Sequence, residues 1–132
     1  MGAHKIHCFA TPTRPRAKES RFYAWVFKGE RLYNQLFKHY ALFNGARRAG
    51  PACFETFPHA VVCALVGRVV AAHPKRESRR AALRQRGYDV GSLTNVDFVD
   101  AALCAVTAAA FARGSYRLFG KQNEGFIVVP AG

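Results

Sequence analysis

Ala52-Cys53-Phe54-Glu55-Thr56-Phe57-Pro58-His59-Ala60-Val61-Val62-Cys63-Ala64-Leu65-Val66-Gly67 decides how the rest of the chain is read. Ala52 to Phe57 reads as a short apolar strand interrupted by one acid, Glu55. Pro58 suits the first turn of a helix, where its missing N–H leaves nothing unsatisfied. His59 to about Val66 continues that helix, and Gly67 stops it. A strand passing directly into a buried helix is the step from which layered α/β folds are built.

Upstream, Phe22, Trp25, Val26, Leu32, Tyr33, Leu36 and Phe37 recur at three- and four-residue spacing between about Ser20 and Tyr40. That is an amphipathic helix whose aromatic residues are expected in the core. Gly29 inside it costs about 1 kcal/mol relative to Ala. Lys5 to Ala10 alternates like a short strand, and Asn44-Gly45 and Ala49-Gly50-Pro51 mark a loop. Downstream, a basic helix runs from about Pro74 to Gln85 and is ended by Gly87. Asp89 to Asn95 is a loop, and Val96 to about Ala112 is an alanine-rich helix. Gly125 to Pro130 is a strand by its β-branched content. The order predicts one α/β or α+β domain over residues 1–132, helix-rich, with two to three short strands.

The chain has 132 residues, 20 Lys+Arg against 8 Asp+Glu, a net charge of +12, and half its residues are hydrophobic. That hydrophobic content excludes a disordered chain. No apolar run reaches the roughly 20 residues of a membrane span, and the start of the chain lacks a signal peptide's apolar stretch. The expectation is a soluble, cytoplasmic protein. Cys8, Cys53, Cys63 and Cys104 lack the close spacing of zinc knuckles and read as reduced, buried thiols. His4, His7 and Cys8 cluster but make a poor metal site.

The charge surplus points to polyanionic partners, nucleic acid first. Arg14, Arg16 and Lys18 flank the first loop, which Pro12 and Pro15 are expected to hold extended. Lys75, Arg76, Arg79, Arg80, Arg84 and Arg86 crowd the basic helix, leaving Ala81, Ala82 and Leu83 to pack. Such a helix lies at the surface, either simply solvated or touching phosphates.

In so basic a chain each acid is informative. Asp97 and Asp100, three apart, point from one side of the alanine-rich helix, beside its apolar face. Glu55 lies inside an apolar strand. Carboxylates converging from a strand and a helix suit Mg²⁺ or Mn²⁺, which take oxygen ligands. Two such ions about 4 Å apart could clamp the attacking water and the leaving oxygen of a phosphodiester. Thr94-Asn95-Val96-Asp97 fits a capping box equally well, so Asp97 has a structural reading too.

Phe54-Glu55-Thr56-Phe57-Pro58-His59-Ala60 resembles the E-T-F/Y-P-H-A signature of the family called domain of unknown function 429, predicted nucleases with a ribonuclease H-like fold. Further pieces follow in the family's order: Tyr23-Ala24-Trp25 with Gly29 and Leu32-Tyr33, then Arg79 or Arg80 with Leu83 and Gly87. Asp97-Phe98-Val99-Asp100-Ala101-Ala102 and Glu124-Gly125-Phe126-Ile127-Val128-Val129-Pro130 complete the set. The resemblance is to the family's C-terminal half. Members typically begin with a strand carrying an aspartate, and nothing from Met1 to Arg16 matches it. It implies a partial ribonuclease H-like domain, with Glu55, Asp97 and Asp100 as the remaining catalytic and Mg- or Mn-holding acids. Asp97 and Asp100 are also similar to the paired helix aspartates of Holliday-junction resolvases, an analogy of fold. The expected function is metal-dependent phosphodiester hydrolysis, in a complete or an incomplete form. The alternative is a non-catalytic nucleic-acid-binding module, or a fragment whose sheet is completed by a second copy or a partner chain.

Overall fold

The computed structural model describes residues 6, 12–46 and 50–132, so the strand expected over Lys5 to Ala10, and His4, His7 and Cys8, lie outside the described residues. In chain order the elements are α1 (Arg14–Lys18), a 3-10 turn (Arg21–Tyr23), α2 (Ala24–Leu36), β1 (Ala41–Leu42), β2 (Ala52–Cys53), α3 (Pro58–Val66), α4 (Lys75–Gln85), α5 (Val96–Ala112), β3 (Tyr116–Lys121) and β4 (Gly125–Pro130). The fold is mixed α/β and helix-rich. Its four short strands form two small sheets, β1 with β2 in parallel and β3 with β4 antiparallel. The described residues group into two compact units, one of residues 7–53 and one holding residue 6 and residues 54–132.

In the larger unit, α3, α4 and α5 pack with β4 around Val61, Val62, Leu83, Val99, Leu103 and Val129, all almost wholly buried. Pro58 opens α3, and Gly67 closes it with φ +78° and its N–H on the Cys63 carbonyl at 3.0 Å. A left-handed glycine of this kind ends a helix without steric penalty. The Asn95 side chain caps α5 by accepting from the Phe98 N–H at 2.9 Å. The capping box read over Thr94 to Asp97 is thereby shifted by one residue. Its third helical position is Phe98, which carries no carboxylate to reach back.

The Gly125–Pro130 strand stands as expected as β4, and its partner β3 is an addition to the sequence reading. Leu118 faces Val128 and Phe119 faces Ile127, while Gly120, at φ +128°, pairs with Phe126. A Cβ on Gly120 would stand 2.2 Å from the Gly125 carbonyl oxygen, so this position admits only glycine. The strand expected over Ala52 to Phe57 is shorter than read. It pairs at Ala52 and Cys53, then makes a single parallel bridge from Glu55 to Ile127. The Val128 N–H donates to the Glu55 carbonyl at 2.8 Å, and Thr56 Oγ1 donates to the Val128 carbonyl at 2.7 Å. These bonds lay Glu55 and Thr56 along β4 immediately before α3.

The smaller unit corrects two expectations. The segment around Arg14 is helical rather than extended, because Pro15 falls within the first turn of α1, where proline is tolerated. The aromatic helix ends at Leu36, four residues before the expected Tyr40, and none of its residues is buried. Trp25 is 54% exposed and Leu32 55%. The helical periodicity is real, but Val26, Tyr33 and Leu36 are only half-buried.

Candidate functional site

Three helices bring His59, Arg79 and Asp100 together. His59 occupies the first turn of α3 and lies half-buried, with its Nε2 3.9 Å from the Cys63 sulfur one turn along. Burial, and secondarily the Arg79 charge, lower the His59 pKa below the usual histidine value, which favours the neutral ring. Arg79 projects from α4 into the interior, only 7% exposed, and its Nη1 donates to Asp100 Oδ1. Arg79 Nε is buried without a hydrogen-bond partner among the described residues. Asp100, on the second turn of α5, keeps about a third of its side chain exposed (31%). One turn further on, burial and then the Asp100 charge push the Cys104 thiol up.

Glu55 and Asp97 are both exposed. Asp97 stands in the first turn of α5, where a negative charge meets the positive end of the helix dipole. Among the described residues no three His, Cys, Asp or Glu side chains gather into a group that could hold a metal ion. Glu55, Asp97 and Asp100 therefore do not assemble the expected centre, and the one carboxylate of the three in a built environment already has a guanidinium as its counter-charge.

The basic residues divide into two kinds. Within α4, Arg76 donates to the Thr94 carbonyl at 3.2 Å and pairs with Glu77 at 3.0 Å. Glu77 is held below the usual carboxylate range by its own backbone N–H and then by Arg76. Arg80, half-buried, donates to the Leu93 carbonyl, and Arg86 Nε donates to the Leu65 carbonyl at 3.0 Å. Arg79 faces Asp100. Arg76, Arg80 and Arg86 thus cover carbonyls at the end of α3 and in the loop before α5, while Arg79 ties α4 to α5 through a carboxylate. Lys75 and Arg84 are exposed, with side chains that have no partner among the described residues. In the smaller unit Arg14 grips Glu30, its closest approach being 2.7 Å, with its guanidinium 5.9 Å from the Phe27 ring centre. Arg16 and Lys18 are exposed and make no ion pair among the described residues.

An apolar pocket of about 280 Å³ lies between α4 and α5, lined by Leu83, Leu93, Ala102 and Val106. Its single acid, Asp89, is occupied in a turn, accepting the Gly91 N–H at 2.8 Å.

In the sequence His59 carries no role beyond the family signature, and Arg79 stands among the expected surface cations. The pairs His59–Cys63 and Asp100–Cys104, each four apart on a helix, were the available signal.

The architecture is thus a helix-rich α/β protein in which the strand-to-helix segment at Glu55 to His59 meets an arginine–aspartate pair joining two further helices. The chain belongs to the family described as "Protein of unknown function (DUF429)", whose model matches residues 1–124. No curated protein and no solved structure matches the chain. No helix among the described residues is long and apolar enough to cross a membrane.

Proposed function

We propose that this chain is a nuclease-like protein that binds nucleic acid through its basic surface. The observation that carries the reading is the charge of +12 on 132 residues. Part of it stands on exposed cations that make no ion pair among the described residues: Lys75 and Arg84 on α4, and Arg16 and Lys18 on α1. Cations spent on internal pairs, as Arg14 and Arg79 are, have little left to offer a phosphate. Free ones can neutralise phosphates and release their counterions. In this reading the ribonuclease H-like resemblance describes the fold's origin, and the Arg79–Asp100 pair takes the place of a metal centre.

A second reading, phosphodiester hydrolysis, draws on the family signature at Glu55 to His59 and on the exposed carboxylates of Glu55 and Asp97. It requires a further chain, a second copy or a different partner, to complete the acid set. The test is a filter-binding and cleavage assay with labelled DNA and RNA, with Mn²⁺ or with a chelator. The binding reading expects salt-sensitive retention that is indifferent to Mn²⁺, and an unchanged oligonucleotide. Cleavage that needs Mn²⁺ and is lost in Glu55→Gln and Asp97→Asn would favour hydrolysis. No retention at low salt would remove both readings.

A further inference from the structure

On the smaller unit, helix α2 carries exposed apolar residues on one face. Trp25, Lys28 and Leu32 stand at i, i+3 and i+7, and so share one side of the helix. Trp25 and Leu32 are more than half exposed, Lys28 is exposed, and Phe22, just before the helix, is 60% exposed while its ring edges against Tyr23. Gly29 lies one turn on from Trp25, and nothing stands within 4 Å of where its Cβ would be. Glycine inside a helix is unfavourable, so its presence here fits a place where a flat group must approach the backbone beside the indole. The acid of α2, Glu30, falls on the opposite side of the helix and is engaged by Arg14.

We propose that the Trp25 face of α2 binds single-stranded nucleic acid, with Trp25 as a base-stacking platform and Lys28 as a phosphate contact. This rests on the nucleic-acid reading above and specifies its substrate class. Single-strand binders combine cationic tracks with aromatic rings on which unpaired bases stack, whereas bases in a duplex are already stacked on each other. Charge decides between the occupants of such a face. A second copy would bring Lys28 against Lys28 with no acid to answer it. A membrane-surface helix segregates its cations from its apolar stripe, and here Lys28 stands inside the stripe.

Trp25 is the sole tryptophan of the chain, so its fluorescence reports on this face alone. The protein is titrated with an end-labelled oligothymidine of about 16 nucleotides and with a matched duplex. Oligonucleotide anisotropy and Trp25 emission are read together, and anionic phosphatidylserine vesicles form a third arm. The expected result is quenching of Trp25 by the single strand and not by the duplex. Trp25→Ala should weaken single-strand binding about 5- to 150-fold, the range of losing one stacked base. Trp25→Phe should keep most of the affinity, and Lys28→Gln should lower the salt dependence. If anisotropy rises while Trp25 emission stays constant, nucleic acid binds elsewhere; this inference fails and the nucleic-acid reading stands. If anisotropy stays flat at low salt, both fail. Equal quenching by the duplex, a shift of Trp25 emission on vesicles, or a shift with protein concentration alone and a doubled solution mass would each overturn the assignment.

Discussion

Replacing Asp100 by alanine should destabilise the protein far more than its own partial exposure would suggest. The reason lies in its partner. Arg79 is 7% exposed, its Nε has no hydrogen-bond partner among the described residues, and its Nη1 depends on Asp100 Oδ1. Removing one member of a fully buried ion pair costs about 3–5 kcal/mol, because the other charge is left without compensation. The Asp100 side chain is 31% exposed, so water can partly replace it, and about 2–3 kcal/mol is expected here. Arg79→Met should cost less, about 1 kcal/mol, since the abandoned carboxylate can turn to solvent while the methionine keeps the packing. The double variant should be no less stable than Asp100→Ala alone, because no buried charge then remains. Urea unfolding followed by circular dichroism measures all four proteins. Each kcal/mol should also lower Tm by about 3–6 °C for a chain of this size. A loss below about 0.5 kcal/mol for Asp100→Ala, or a larger loss for Arg79→Met, would mean that the Arg79 charge does not depend on Asp100.

Gly29→Ala should raise stability by up to about 1 kcal/mol, since nothing meets the added methyl group, and a thermal melt checks it. The lowered His59 pKa makes stability depend on pH. The unfolded chain binds the His59 proton more readily than the folded one, so this contribution is fully present above about pH 6.5 and is lost as pH falls through the folded value. Unfolding midpoints between neutral and acidic pH should therefore decline less in His59→Gln than in the parent protein. Leu103→Ala, in the fully buried centre of α5, should cost about 2–5 kcal/mol, read by the same urea unfolding.

The helices of the larger unit could be read from the sequence because their ends are chemically marked. Pro58 and Gly67 bound α3, Gly87 follows α4, and Asn95 caps α5, so local chemistry and tertiary packing agree there. The Gly125–Pro130 strand announced itself through Ile127, Val128 and Val129. Its partner did not, because Tyr116 to Lys121 mixes two cations and a glycine into a strand whose order comes from pairing rather than propensity. Composition concealed the division of labour among the arginines of α4. A run of cations looks uniformly solvated, yet one guanidinium is buried against Asp100 and three others cover carbonyls. The same limit applies to the acids. Helical spacing put Asp97 and Asp100 on neighbouring positions, but it carried no information about Arg79, which lies 21 residues before Asp100. In α2 the three- and four-residue spacing identified the helix and said nothing of whether another part of the chain would cover it.

The proposed binding of nucleic acid by the exposed cations of this chain needs no divalent ion. Its most direct test is the affinity for a labelled single strand measured across a salt series, in chelator and again in Mg²⁺ at matched ionic strength. The account predicts a linear fall of log affinity with log salt, at about −0.7 per phosphate neutralised, with equal slopes after correction for the screening by Mg²⁺ itself. Lys75→Glu combined with Arg84→Glu should make the slope shallower. Affinity that appears only with Mg²⁺, or that ignores salt and the charge reversals, would contradict the account.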